Sequence, residues 1–318
     1  MSNEHWSEFW KEGHSTTFAE FYSDNYQGKI KQFWLEQMAS MADNCLIHDL
    51  AAGSGAVARI IVEFSNSQNK SFQVSANDYA KLDIENNQKL KQSLQGINFF
   101  SETLSEQLPL EDRSIDLIVS QYGFEYSDMG ATISEIQRLL KPKGRFVAIC
   151  HFEKSNLILE SIKMLEFLSR LKDEQGFFEL LCEFSKEAGD ILAKEDLATL
   201  KHNKDLEVLR IKINNQVESF INESPDEFVA SQNMAYLQQF FQQQLVGTVA
   251  SRLEFCQFVI RQNEIHSERL EEMINASYNH QKLEQLALAV GNNGQLTHKE
   301  FIDDSGNNLG LTIELVMN

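Results

Sequence analysis

Short apolar runs alternate with helical periods along the first half of the chain. Residues 46–61, LIHDLAAGSGAVARII, read as a strand, a turn of small residues, and a helix beginning near Ser54. Gly53 and Gly55 bracket Ser54, where the backbone can turn sharply and lie bare of Cβ atoms. Further strands are expected at 72–76 (FQVSA), 97–100 (INFF), 115–120 (IDLIVS) and 145–150 (RFVAIC). A helix is expected from Lys81 through Leu94. Another covers 129–140, where Ile133, Ile136 and Leu140 recur at helical spacing. Lys141-Pro142-Lys143-Gly144 should end it, with Gly144 as the left-handed cap. Alternation of this kind predicts an α/β fold with a mostly parallel sheet and helices on both faces.

The flanks differ from this core. Residues 5–41 are helical in pattern and crowded with Trp6, Phe9, Trp10, Phe18, Phe21, Tyr22, Tyr26, Phe33 and Trp34. Residues 153–290 are β-poor, with Leu159, Ile162, Leu165, Leu168 and Leu171 at helical spacing. Breaks fall at Gly176, Gly189, Pro225 and Gly247, giving roughly five helices. Residues 295–302 and 309–317 read as a hairpin around a turn at 303–308. The expected organisation is 1–41, an aromatic helical segment; 42–152, the core; 153–290, a helical insert; and 291–318, a closing hairpin.

Composition narrows the classes of function. The 318 residues carry a net charge of −19 and are 42% apolar, enough for a sizeable core. A negative surface repels phosphate backbones, so no nucleic-acid partner is expected. The basic run from Lys141 to Arg145 is more simply a helix end. Cys45, Cys150, Cys182 and Cys256 form no CxxC pair, which suits reduced thiols better than a disulfide frame or a zinc site, and no metal is expected. The first residues lack an apolar signal core and no run is long enough to span a bilayer. A cytoplasmic protein without a membrane partner is the expectation.

The ordered motifs resemble those of class I S-adenosylmethionine-dependent methyltransferases, over roughly residues 30–152 and the last twenty-five. Asp49, Gly53 and Gly55 match the family's first motif, apolar-Asp-apolar-Gly-x-Gly-x-Gly, with Ala51 where the first glycine is usual. Asp78 stands at the family's acidic position after the second strand, beside Tyr79. Thr103, Leu104 and Ser105 precede Leu108-Pro109-Leu110, where the family contacts adenine, although Leu104 replaces a frequent Asp. Pro109 and Pro142 fall where the family favours proline. The resemblance implies a Rossmann-like, seven-stranded mixed sheet that binds S-adenosylmethionine and yields S-adenosylhomocysteine. It implies cofactor contacts from Asp49, Ala51, Gly53, Ser54, Gly55, Asp78, Tyr79, Thr103, Leu104, Ser105 and Gln121. An acidic residue ending a second strand can accept both ribose hydroxyls; Asp78 could instead cap the helix expected after it.

Residues 121–126, QYGFEY, follow the fourth strand and face the ligand side of such a sheet. Tyr122, Glu125 and His151 are the catalytic candidates there. His14, Tyr22 and Tyr126 are the candidates for binding the acceptor. Each also has a structural reading, as a capped turn or a satisfied core side chain. A small-molecule acceptor is expected, in a site closed by the N-terminal segment and the insert. The competing reading makes the insert a homodimer arm. Three other readings stay open: a protein that binds the cofactor without turnover, a structural or interaction protein built around the helical insert, and a nicotinamide-dependent oxidoreductase, because Gly53-x-Gly55-x-x-Ala58 also fits a dinucleotide turn.

Overall fold

Seven strands make one sheet: β1 Leu46–Asp49, β2 Gln73–Asn77, β3 Ile97–Phe100, β4 Ile115–Gln121, β5 Leu140–Cys150, β6 Gly294–Ile302 and β7 Asn308–Met317, in the order β3-β2-β1-β4-β5-β7-β6. Neighbours from β3 to β5 are parallel, and β7 runs antiparallel to both β5 and β6. The order reverses between β1 and β4, so a ligand crevice is expected beyond their carboxyl ends. The computed structural model describes residues 4–11, 13, 15, 16, 24–172 and 176–318.

The helices are α1 Glu4–Lys11, α2 Gly28–Ala39, α3 Ala56–Ser67, α4 Gln88–Ser93, α5 Met129–Leu139, α6 Asn156–Lys172, α7 Phe177–Glu187, α8 Leu197–Leu200, α9 Lys204–Glu223, α10 Pro225–Ala230, α11 Asn233–Gln239, α12 Val249–Ala276 and α13 His280–Val290. Alternate residues of β5 serve opposite faces of the sheet, as the two-residue strand period requires. Val147 and Ile149 pack with Phe33, Trp34, Ile60 and Ile61 of α2 and α3. Phe146, Ala148 and Cys150 pack with Ile133 and Ile136 of α5 and with Leu286 and Val290 of α13. The expected mixed α/β fold is the observed one.

Two compact units divide the chain: Met1–Ile158 with Ala276–Asn318, and Leu159–Asn275. The second unit, α6 through α12, is narrower than the expected insert at 153–290. Residues 276–290 belong to the first unit, because Tyr278, Leu286 and Val290 are buried in the core beside α5. The second unit has its own core, built on Phe167, Phe177, Phe220, Phe228 and Phe240.

Local chemistry changes two other expectations. The helix expected from Lys81 shrinks to α4, since Asp83 accepts from Asn86 N at 3.3 Å and Asn87 caps Leu90 N at 3.1 Å. Such side chains offer the backbone turns in place of a helix. The left-handed residue after α5 is Lys143, at φ +63°, and not Gly144. Gly144 is needed for room, because a Cβ there would lie 2.8 Å from the Lys141 carbonyl oxygen.

Candidate active site

The turn after β1 is left-handed three times, at Ala51 (φ +52°), Gly53 (+54°) and Gly55 (+81°). Ala51 therefore keeps the conformation of the glycine it replaces, at a cost of about 1–2 kcal/mol. Asp49 is buried, and its Oδ2 accepts from Ala58 N at 2.8 Å, tying β1 to the first turn of α3. Its Oδ1 has no hydrogen-bond partner among the described residues. A Cβ on Gly53 would lie 2.3 Å from the Trp10 ring, so α1 rests directly on this turn. The Ser54 hydroxyl donates to Ser15 O at 2.8 Å, and Ser7 Oγ accepts from Lys81 N at 3.0 Å. The N-terminal segment thus touches both the glycine turn and the loop after β2.

Asp78 stands where β2 ends, half-buried. Its Oδ2 accepts from Gly53 N at 2.6 Å and its Oδ1 from Ala80 N at 2.8 Å. It caps no helix; it stitches the two loops together. Burial raises its carboxyl above the usual range, against the pull of those two N–H groups. Behind it runs a polar chain that sequence reasoning missed. His48 Nδ1 meets Ser75 Oγ at 2.8 Å, and its Nε2 meets Asn77 Oδ1 at 3.0 Å. Asn77 Nδ2 then donates to Thr103 O at 2.9 Å, and Thr103 N donates to Asp78 O at 2.9 Å. Burial lowers the His48 pKa to about 4, so this imidazole is a neutral link that fixes residues 103–105. The only signal in the sequence is a pair of polar side chains, His48 and Asn77, inside apolar strands. Leu104 and Tyr79 are exposed beside this loop, while Ser105 is buried.

The segment after β4 presses onto the first turn: a Cβ on Gly123 would lie 2.6 Å from the Ala51 carbonyl oxygen. Gln121 accepts from Trp34 Nε1, and its Nε2 has no partner among the described residues. Tyr122, at φ +52°, donates its hydroxyl to Leu309 O at 2.9 Å and stacks on His151 with ring centroids 4.6 Å apart. That hydroxyl is held by a backbone carbonyl, so the ring serves as a wall. Tyr126 sets its edge to His151 at 6.1 Å and to Trp6 at 5.7 Å. Glu125 Oε1 accepts from His151 N at 2.6 Å. The structure brings Tyr122, Glu125, Tyr126 and His151 together; His14 and Tyr22 lie outside the described residues.

Burial sets the charge state here. It pushes the Glu125 carboxyl up to about 7, opposed by the His151 and Glu125 N–H groups, the Cys150 thiol and the Lys282 charge. It lowers the His151 pKa to about 3, so the imidazole is neutral. Asp49 is pushed up to about 8 by burial, and the Asp78 charge adds to the rise. A carboxyl raised in this way keeps a proton that the unfolded chain releases. Its contribution to stability is full below the unfolded value near 4.5 and is lost as pH rises toward 7. The buried, neutral His48 and His151 act in the opposite sense as pH rises, so the readout is a difference: from pH 5 to pH 7, within the 4.5–7 window of Glu125, the parent should lose melting temperature relative to Glu125→Gln in calorimetric scans. An equal slope in the variant would clear Glu125 of the effect.

Residues 48–148 match the family model described as a methyltransferase domain. That stretch holds the glycine turn and the parallel strands in which the sequence resembles class I, S-adenosylmethionine-dependent methyltransferases. The uncharacterized methyltransferase YcgJ of Bacillus subtilis (strain 168) is 32% identical over 75 residues, 23% of this chain and 29% of that protein. A ubiquinone/menaquinone biosynthesis C-methyltransferase, UbiE of Brucella anthropi, is 30% identical over 115 residues, 36% of this chain and 43% of that protein. The chain thus spans less than half the length of these relatives. The solved structure of Bacillus YcgJ aligns at 24% identity and a TM-score of 0.33, over 45% of this chain and 59% of that one. Geranyl diphosphate C-methyltransferase from Streptomyces coelicolor A3(2), solved with Mg2+, geranyl diphosphate and S-adenosyl-L-homocysteine, aligns at 15% and 0.34, over 42% and 51%. Nothing about the chemistry of this chain rests on those two superpositions. The nicotinamide reading of the glycine turn finds no support. Among the described residues, no helix is long and apolar enough to cross a membrane.

Proposed function

We propose that this chain transfers a methyl group from S-adenosylmethionine to a small-molecule acceptor and releases S-adenosylhomocysteine. The observation that carries the reading is the Asp78 carboxylate bonded to Gly53 N, which joins an acidic residue to a glycine turn at one sheet edge. The bound cofactor supplies a methyl group already activated by its sulfonium. The chain has only to bind, orient and exclude water.

The side chains fit such a ligand. Each Asp78 oxygen holds one backbone N–H and keeps lone-pair capacity for a ribose hydroxyl. Leu104 and Tyr79 offer apolar surface to a base, and Asn77 holds the Thr103 loop that frames it. Among the described residues Asp49 Oδ1 and Gln121 Nε2 have no partner; the amide suits a carboxylate, and an ammonium group would draw the buried Asp49 carboxyl into its ionised form. These are the two ends of an amino-acid moiety. Helix α1 covers the turn through Trp10 and keeps water from it. Glu125 can take a proton from the acceptor, since a carboxyl poised near 7 is matched to neutral solution.

Titration calorimetry with S-adenosylmethionine tests the reading. Losing a hydrogen-bonding carboxylate at a ligand costs on the order of 1.5–3 kcal/mol, so Asp78→Ala should weaken binding by about ten- to a hundred-fold. The melting temperature should fall as well, because Gly53 N and Ala80 N lose their acceptor. Unchanged affinity in a folded Asp78→Ala protein would remove the ribose role and leave Asp78 as a loop stitch.

A further inference from the structure

Three polar atoms on interlinked residues have no hydrogen-bond partner among the described residues: Glu125 Oε2, His151 Nδ1 and the Tyr278 hydroxyl. Tyr278 is 1% exposed and His151 4%. An unmet buried polar atom carries a desolvation penalty, so three together call for a ligand or for replacement by apolar groups. Tyr278 is remote in sequence from the other two. It follows α12, and its backbone extends the end of β5: Tyr278 N donates to His151 O at 2.8 Å, and Glu153 N donates to Tyr278 O at 2.9 Å. Its ring stacks on Phe124, the neighbour of Glu125, at 6.4 Å and 15°. Glu125 in turn holds His151 N. One short chain of bonds and stacked rings therefore links all three residues.

We propose that Tyr278, with Glu125 and His151, forms the polar end of the acceptor site, and that it takes an uncharged ring or enol bearing a hydroxyl group. The assignment rests on the methyl-transfer reading for its purpose, not for its geometry. Poised at about 7, the Glu125 carboxyl is partly ionised in neutral solution; in that form its Oε2 is an acceptor only, and the neutral His151 Nδ1 is an acceptor when Nε2 carries the proton. A ligand that supplies a hydroxyl donor meets that need, and the Tyr278 hydroxyl can donate back to its oxygen. A carboxylate or phosphate ligand does not, because it would face Glu125 with no guanidinium or imidazolium beside it among the described residues. The nearest cation, Lys282, donates its Nζ to Ala276 O at 2.8 Å. His151 lies stacked on Tyr122 and edge-to-face with Tyr126, an aromatic surround that suits a planar ligand. Glu125 next to a bound hydroxyl is also where a proton must go if that oxygen, or a carbon conjugated to it, receives a methyl group.

Hydroquinone is the probe, with 1,4-dimethoxybenzene as the ring without donors and benzoate as the anionic ring. Binding to the full chain is followed by ligand-observed NMR, with and without S-adenosylhomocysteine. Hydroquinone should bind, and each of the other two should bind at least about five-fold more weakly. Tyr278→Phe should weaken hydroquinone by about five- to ten-fold, the worth of one hydrogen bond. It should leave S-adenosylhomocysteine affinity unchanged and the melting temperature equal or higher, since the lost hydroxyl had no partner. Glu125→Gln should weaken hydroquinone too. No hydroquinone binding, equal binding of dimethoxybenzene or benzoate, or equal hydroquinone affinity in Tyr278→Phe would each overturn the proposal. A lower melting temperature with unchanged affinity would show a structural hydroxyl and overturn it as well. If hydroquinone binds in this pattern while no S-adenosyl ligand does, the site stands and the methyl-transfer reading fails.

Discussion

A Gly53→Val variant should bind no S-adenosylmethionine by calorimetry while its far-ultraviolet circular dichroism stays that of the parent. Two independent causes act at this residue. At φ +54° a β-branched side chain is a steric outlier, and the left-handed conformation costs an ordinary residue about 1–2 kcal/mol. The new Cβ would also stand 2.3, 2.6 and 3.0 Å from three atoms of the Trp10 ring. Either the turn shifts, and Gly53 N leaves Asp78, or α1 lifts from the turn. Both outcomes remove part of the proposed cofactor site, and tryptophan fluorescence separates them, because a lifted Trp10 becomes solvated. Trp10→Ala is the companion variant. It relieves the contact but not the backbone strain, so Trp10→Ala/Gly53→Val should remain unable to bind. Parent-like affinity in a folded Gly53→Val protein would place the cofactor elsewhere.

The parts of this site that could be read from sequence are those fixed by short-range geometry. A glycine turn between strand and helix, and an acidic residue ending the next strand, are local events. The observed turn at 51–55 and Asp78 at the end of β2 follow from them. Even the departure at Ala51 was visible as a small residue, and its φ of +52° shows the turn kept at an energetic cost. Contacts that depend on distant parts of the chain were not visible. Trp10 on Gly53 joins residues before β1 to the turn after it, and periodicity says nothing about which aromatic covers which loop. Tyr278 reaches His151 only because the chain leaves the first unit and returns, and no spacing rule links those positions. Asp78 shows the same limit on a smaller scale. Its helix-capping alternative failed because Asp83, Asn86 and Asn87 consumed the helix that it would have capped.

The second unit offers the other large effect, at Arg252. Its side chain is fully buried, and its guanidinium donates to Leu245 O at 3.0 Å, Gly247 O at 2.9 Å and Ser185 O at 3.1 Å, and also to Gly189 O. These carbonyls belong to two chain reversals. Ser185 and Gly189 lie at the carboxyl end of α7, and Leu245 and Gly247 precede α12. The last carbonyls of a helix lack intrahelical partners and carry the negative end of its dipole. One cation therefore serves acceptors from both reversals, sharing the Gly247 carbonyl with Ile191 N of the backbone pair that already holds them together. Gly189 and Gly247 were legible as breaks in the helical pattern. That a single arginine joins them was not, because the residues are adjacent only in space. Arg252→Ala should cost about 3–5 kcal/mol in denaturant unfolding, since removing the cation takes this donor from the Leu245, Ser185 and Gly189 carbonyls at once. Arg252→Lys should fall between the two, as an ammonium lacks the planar fork that reaches four acceptors. Hydrogen exchange gives the local readout: the amides of Ile191 and Gly247, which bond each other's carbonyls at 2.9 and 2.7 Å, should lose protection first. A loss under about 1 kcal/mol, within the range of ordinary surface substitutions, would mean that water replaces the guanidinium at little cost. The two reversals would then be held by the apolar core of the unit alone.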